Sequence, residues 1–493
     1  MLAQLGRERS APWVTRLAPI WIAFVAAVAA YALSFDGDCS AAVAFSPFCG
    51  LPRVLTLCGA IAAAPLFAYA FILRPVTVAL SAYAIIVPFE EIITGGTEGV
   101  GAVAKLVGGF CAIVILLALL FQRERRRSHV VASLPMLCWS GMLLYCAATL
   151  AWSIDPALSG LKFLSLLQYV GLYACIAAAP LKRRDMLILL AATAGGGILA
   201  GAYSGYAAAT GHGVFIDGRL FLSTDITGVA DPNHIAAALL LPSALLLSAV
   251  IWSRSTTLRL AALAGLPIIL VAVLLSGSRG AIVALCSMVI FLAIRARASL
   301  RILLPVGAAI LTAILIPNPL FARFTGDHIQ DGAGRLGIWH VALPAFAQHW
   351  LFGAGYATFP AAYDQAFFLA YQAYFVRWHM VSHNLLVSTA VELGIVGLGI
   401  VALAWIVQFR ALRVVGGAGQ WFAVRASLEA ALLGLAVASL FLDIMREKYL
   451  WLAFAEATLL VAVVLRERAS ERSSQGSALT LAHLAKYPEG PVL

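Results

Sequence analysis

The chain of 493 residues is 62% hydrophobic and 11% charged, with a mean hydropathy of +0.95. A soluble domain carries about a quarter charged residues, so this balance excludes one and implies a polytopic membrane protein. The formal charge of +10 would suggest nucleic acid in a soluble protein, but here the basic residues fall in short clusters between apolar runs, the pattern that orients membrane spans.

Apolar runs of about 20 residues, the length that crosses roughly 30 Å of hydrocarbon, recur from Leu17 almost to the C-terminus. They predict helices near 17–35, 54–73, 76–93, 103–121, 130–151, 162–180, 186–208, 234–252, 259–276, 280–294, 302–317, 384–408, 424–442 and 448–465. The expected fold is all-α and polytopic, with about fourteen transmembrane helices. It forms one integral membrane domain over residues 1–465, including a long, partly helical loop at 318–382, and ends in a polar, disordered tail at 466–493. The first run lacks the cleavage pattern of a signal peptide.

With both termini cytoplasmic, the clusters RERRR at 123, KRR at 182, RAR at 295, FRALR at 409 and RER at 466 all lie inside. That satisfies the positive-inside rule. The basic residues left outside are Arg53, Lys105, Lys162, Arg219, Arg279, Arg323, Arg335, Arg377, Arg446 and Lys448. Insertion disfavours arginine on that face, so these are candidates for holding an anion, although some will snorkel or pair locally.

None of the eight cysteines has zinc-site spacing, and Cys58, Cys111, Cys138, Cys146, Cys175 and Cys286 lie in or beside apolar runs as small hydrophobes. Cys39 and Cys49 share a polar loop and would be free to pair if it faces an oxidising compartment. In the same loop, Asp36 and Asp38 resemble the acidic pair with which some membrane glycosyltransferases hold a divalent ion. His379 and His383 are four apart but lack the glutamate of a metalloprotease motif.

Three polar stretches carry the chemistry. SGSRG, from Ser276, is an outward turn in which Ser278 can cap the next helix and Arg279 opens it. A guanidinium binds phosphate oxygens in pairs and stays charged in a poorly solvated site. GRLGIWHVALPAFAQHW, from Gly334, predicts an amphipathic loop helix with Arg335 and Trp339 one turn apart on one face. SHNLLVSTAVELGIVGLG, from Ser382, places His383 and Asn384 at a helix entrance, where an imidazole can take a proton from a hydroxyl. The aromatic stretch from Phe367 to Trp378, with Arg377 within it, suits a membrane interface or a sugar-binding surface.

In this order, with FGAGYATF in the long loop and DPNHIAAALLLPSALLL from Asp231, these motifs resemble the O-antigen ligase and polymerase superfamily of bacterial envelope proteins. The resemblance covers roughly Asp231 to Gly399. It implies about twelve spans as the alternative to fourteen, cytoplasmic termini in the bacterial inner membrane and a periplasmic active site under the long loop. It also implies transfer of a glycan from an undecaprenyl pyrophosphate carrier without metal, nucleotide or other cofactor.

The acceptor would be lipid A-core in a ligase, another carrier-linked glycan in a polymerase, or a protein hydroxyl in a related branch. Carried over motif by motif, Arg279 and Arg335 bind the donor pyrophosphate and His383 is the catalytic base, in an attack that inverts the anomeric centre. Ser278, Trp339, Asn384, Arg377 and Arg219 are expected to support them. Two other readings remain: a metal-dependent transferase using Asp36 and Asp38, and a transporter or flippase.

Overall fold

The computed structural model describes residues 68–89, 103–121, 133–211, 213–222, 231–297, 334–366, 377–416, 419 and 421–486. The predicted spans at 17–35 and 302–317, most of 54–73, the Asp36, Asp38, Cys39 and Cys49 loop, and the aromatic run from 367 to 376 lie outside the described residues.

The membrane-domain helices, in chain order, are α1 Pro75–Ile86, α2 Val103–Phe121, α3 Leu134–Thr149, α4 Pro156–Ala178 and α5 Arg183–Thr210. After a small hairpin come α6 Pro232–Ala238, α7 Leu240–Trp252, α8 Thr256–Leu275 and α9 Arg279–Ala296. The long loop contributes α10 Arg335–Gln348 and the short α11 Phe359–Gln365. The chain closes with α12 Leu385–Ala411, α13 Phe422–Ala438 and α14 Lys448–Lys486. Among the described residues, seven helices are long and apolar enough to cross a membrane, with α6 and α7 counted as one span. Shorter apolar helices stand at Pro75–Phe89, Lys105–Phe121 and Leu134–Thr149. This is a mostly helical membrane protein; the full span count is not fixed by these elements.

Position in the bundle follows burial. The span of α14 is 94% buried, against 28% for α8 and 33% for α4, so α14 is the axis and the other two face outward. Around α14 pack α4, α13, α12 and α5, while α9 and α7 lean on α13. Trp451 and Phe454 of α14 meet Trp139 of α3, and Phe454 also meets Trp405 of α12. Beside this aromatic core, Trp139 Nε1 and Tyr173 Oη both donate to Gln408 Oε1 at 3.3 Å, while Gln408 Nε2 donates to Thr458 and to the Phe454 carbonyl. Polar groups this deep in an apolar bundle must satisfy one another.

Two features depart from the sequence reading. Residues 214–216 and 219–221 pair as an antiparallel hairpin around Asp217 and Gly218, both at positive φ, which is the Asp-Gly turn chemistry of tight hairpins. The expected disordered tail is also helical as far as Lys486. Its start is held to the bundle by Arg466, which donates to the Ala179 and Leu181 carbonyls, and by Arg468, which donates to those of Val414 and Val415. Arginines near helix C-termini meet carbonyls that have no intrahelical partner.

Candidate functional site

At one end of the bundle α4, α6, α9, α12 and α14 begin, α3, α5, α8 and α13 end, and α10 packs on α12. A cavity of about 460 Å³ opens there, within the range of small-ligand sites.

The turn from α8 to α9 forms one wall. Ser278 caps α9 by accepting from Ala281 N at 3.3 Å, Ser276 Oγ accepts from Ser278 N at 3.2 Å, and Gly277 sits at φ 63°. A Cβ on Gly280 would come within 2.9 Å of Phe441, so the SGSRG glycines allow this turn to close against the loop after α13. Arg279 is the first residue of α9 and lines the cavity.

Arg335 repeats the arrangement as the first residue of α10, behind Gly334 at φ 79°, and lines the same cavity. Neither helix has an acid in its first turn. A cation at a helix N-terminus opposes the helix dipole. Two such termini facing one cavity suit an anion.

The third wall comes from the hairpin and the start of α6. Arg219 donates through Nη2 to Asp231 Oδ1 at 3.2 Å and through Nε to the Ser276 carbonyl at 3.3 Å, tying the hairpin to the α8–α9 turn. Asp231 in turn caps α6 by accepting from Asn233 N at 2.9 Å. Behind it, His234 Nδ1 lies 3.0 Å from Tyr449 Oη and 3.6 Å from Glu447 Oε1.

His383 closes the ring. It adopts φ 47°, a left-handed conformation that histidine tolerates only when its neighbours hold it. Those neighbours are pinned: Ser382 Oγ accepts from Asn384 N, and the Ser382 carbonyl accepts from Trp339 Nε1 at 3.0 Å. Asn384 Oδ1 caps α12 by accepting from Leu386 N and Val387 N, and its Nδ2 donates to the Leu440 carbonyl. Asn384 and Trp339 thus aim the imidazole, with Trp339 itself on the cavity wall.

Electrostatics bind these groups together. Burial lowers the Arg335 pKa, and Arg279 and Arg219 lower it further against the opposing pull of Asp231. Burial would raise the Asp231 carboxyl, but His234, the Asn233 amide and Arg219 hold it below the usual carboxylate range. Burial pushes His383 below its ordinary value, Asp231 opposes this, and Arg335 adds to it. The net direction favours the neutral imidazole, the form that can accept a proton.

The long loop is also locked to α12 through mutual backbone contact. Gly394 breaks α12 at φ 68°, ψ −171°, and the turn at 350–355 enters the break. Ala354 N and Gly355 N donate to the Val391 and Glu392 carbonyls at 2.9 Å, and Ile395 N donates to that of Trp350 at 2.8 Å. A Cβ on Gly353 would lie 2.2 Å from the Glu392 oxygen, and one on Gly394 would lie 2.3 Å from the Leu351 oxygen. The glycines of FGAGY and ELG are thus two halves of one joint. The Glu392 carboxylate accepts from Ala357 N at 2.9 Å and Phe359 N at 3.2 Å. Ser388 Oγ donates to Asp443 Oδ2 at 2.8 Å, and Arg446 approaches the same oxygen at 3.7 Å.

Arg279, Arg335 and His383, picked from three separate motifs, thus share one cavity with Arg219 and Trp339. Ser278 and Asn384 support it from behind as caps. Arg377 is not brought in: it is exposed, and its Nε meets Met380 Sδ. His379 pairs with Asp364 at 2.7 Å, away from His383's partners, and no group of three potential metal ligands occurs among the described residues.

Sequence reading did not single out Asp231, Glu392 or Asp443 as site residues. A carboxylate inside an apolar helix, as Glu392 is, was the available signal, because such a charge needs a partner.

The fold and this end of the bundle define an integral membrane protein with a cationic cavity beside a fixed imidazole. A family model described as O-Antigen ligase matches residues 264–402, which include Arg279, Arg335 and His383; over that stretch the chain is similar to the O-antigen ligase superfamily, whose members are glycosyltransferase-like enzymes. No curated protein matches the chain.

Proposed function

We propose that the chain is an O-antigen ligase of the bacterial inner membrane, with both termini cytoplasmic and the cavity on the periplasmic side. It transfers a glycan from undecaprenyl pyrophosphate to the lipid A-core oligosaccharide, with inversion and without a metal. The observation that carries this reading is the convergence of Arg279, Arg335 and His383 on one cavity of about 460 Å³.

The acceptor hydroxyl oxygen attacks the anomeric carbon of the donor glycan. Its proton passes to the His383 imidazole as the new glycosidic bond forms. The bond from that carbon to the pyrophosphate oxygen breaks with its electron pair, releasing undecaprenyl pyrophosphate. The leaving group needs its growing charge met, which fixed guanidinium groups in a poorly solvated cavity do strongly. Arg335 lies among like charges, so a docked diphosphate relieves repulsion as well as gaining hydrogen bonds.

The test is to mix purified protein with an undecaprenyl pyrophosphate glycan and, in separate reactions, lipid A-core or a second carrier-linked glycan. Glycosylated lipid A-core is the expected product. Elongation of the second carrier-linked glycan alone would make the protein a polymerase, and no transfer to any acceptor would end the enzymatic reading.

A further inference from the structure

The turn that enters the break in α12 presents bare apolar side chains. From Trp350 to Tyr363 the sequence holds no charged residue, yet Trp350, Leu351 and Phe352 are all exposed, the two aromatic side chains by 55% and 52%. In water, each Å² of such surface forgoes about 25 cal/mol that burial would supply.

The backbone of the same turn is paired with protein. In an unbroken helix residue 395 would bond to 391 and residue 396 to 392; across the break at Gly394 each of these groups is matched by the turn instead. Trp350 and Leu351 carbonyls accept from Ile395 N at 2.8 Å and Val396 N at 3.3 Å, while Ala354 N and Gly355 N donate to the Val391 and Glu392 carbonyls. The Phe352 carbonyl accepts from Tyr145 Oη at 3.1 Å, and that of Ala354 accepts from Ile154 N at 2.9 Å. Water satisfies the carbonyls of an ordinary surface turn, whereas in hydrocarbon each must find a protein partner. Exposed apolar side chains over a backbone paired in this way fit a turn whose solvent is lipid.

Depth follows from α3. This apolar helix of 16 residues is about 24 Å long, less than the roughly 30 Å of hydrocarbon, so a point inside its ends lies at membrane depth. Tyr145, about 6 Å before the end of α3, donates to both the Phe352 and Leu393 carbonyls. A Cβ on Gly397 would come within 3.0 Å of its ring, so α12 is cut back to admit it. Beside the turn, Leu144 of α3 is 71% exposed and Ile395 of α12 is 47% exposed. The outward apolar surface of the two helices thus continues into Trp350 and Phe352. Trp152, just past α3, adds a third ring, 6.5 Å from that of Tyr145 and 6.2 Å from that of Phe352. Tryptophan and tyrosine gather where hydrocarbon meets headgroups.

We infer that Trp350, Leu351 and Phe352 form a re-entrant wedge of the long loop, seated among phospholipids at the boundary between acyl chains and headgroups. The wedge follows directly on α10, which runs about 20 Å from Arg335 in the cavity to Gln348. The helix that carries Arg335 is therefore anchored at its far end to α12 and to the membrane. The contact with phospholipid stands whether or not the cavity binds a diphosphate.

The test uses the full-length chain in phospholipid nanodiscs, with the photoreactive substitution Leu351→p-benzoylphenylalanine or, separately, Trp350→p-benzoylphenylalanine. Both side chains are exposed, so the label needs no repacking. Irradiation should yield a chain heavier by one phospholipid. In nanodiscs whose phospholipid is brominated near the top of its acyl chains, Trp350→Phe should lower the quenched emission by about a tenth or more, one tryptophan of eleven.

Absence of a lipid adduct at both positions, or equal quenching in wild type and Trp350→Phe, overturns the wedge. Cross-links to another part of the chain or to a second protein, in place of lipid, overturn phospholipid as its partner.

Discussion

Two clusters of charged side chains lie within a few residues of each other and use their charges in opposite ways. Behind the long loop, Glu392, Asp443, Arg446 and Ser388 form a closed set: the carboxylates accept from backbone amides and a hydroxyl and pair with a guanidinium, and the space they enclose is only about 10 Å³, roughly one water probe. In front of it, Arg219, Arg279, Arg335, Asp231 and His383 face a cavity of about 460 Å³. Three guanidinium groups there meet one carboxylate among the described lining residues. A charge that ends on a backbone amide fixes the frame, while an excess of like charge around empty volume is a demand for a ligand.

The contrast is broken most severely from the closed side. Glu392→Gln keeps the shape of the side chain but replaces one acceptor oxygen with a donor, which then faces the amide of Ala357 or Phe359. A hydrogen bond to a charged group contributes about 1.5–3 kcal/mol, and an orphaned buried donor costs about 1–3 more. Thermal unfolding in detergent should show a loss of about 3 kcal/mol or more, with transfer falling in proportion to folded protein. A variant of wild-type stability but without activity would move Glu392 from the frame to the chemistry.

From the open side the pattern should reverse. Arg335→Ala removes a guanidinium that burial and two neighbouring arginines already disfavour, so unfolding temperature should hold or rise slightly. Turnover should fall by about 10²–10³-fold, the usual cost of one transition-state donor. Arg279→Ala should behave alike. Near wild-type transfer by either variant removes that residue from the site.

A smaller effect concerns pH. His383 sits below its ordinary value because burial and Arg335 outweigh Asp231, and in the proposed reaction its neutral form would be the base. Activity should therefore be present at neutral pH and lost as pH falls through a midpoint below 6.5. Asp231→Asn removes the group that opposes the shift, so the midpoint should move further down. A midpoint that rises, or that does not respond, would separate Asp231 from the imidazole.

How far this was legible in the sequence depends on whether a residue's role is local. Arg279 and Arg335 could be read because each opens a helix after a glycine-bearing turn, and the loop helix was visible in GRLGIWHVALPAF. Hydropathy located the helices but not their order in space: in the apolar run of α14 only Glu456, buried and accepting from Thr193, marks the helix as an inner one. Asp231 was visible only as part of a polar helix entrance, because its partners Arg219 and His383 are brought together by the fold. The Gly353 and Gly394 joint is likewise a contact between segments about forty residues apart, and the tail helix was missed because its anchors are carbonyls of the turns after α4 and after α12, which carry no side-chain signature.

The mildest test separates aiming from chemistry. Trp339 touches the cavity with its ring, and its indole N–H reaches the Ser382 carbonyl one residue before His383. Trp339→Phe keeps most of the ring area and deletes that one hydrogen bond, worth about 1 kcal/mol. Relaxing the left-handed backbone at His383 by that amount lets the imidazole sample other directions. Turnover should fall about fivefold, while donor binding and the pH midpoint stay as they are, since no charge near the imidazole has changed. Weaker donor binding with unchanged turnover would show that the indole serves as a wall for the diphosphate and that the backbone at His383 is held well enough by Asn384 alone.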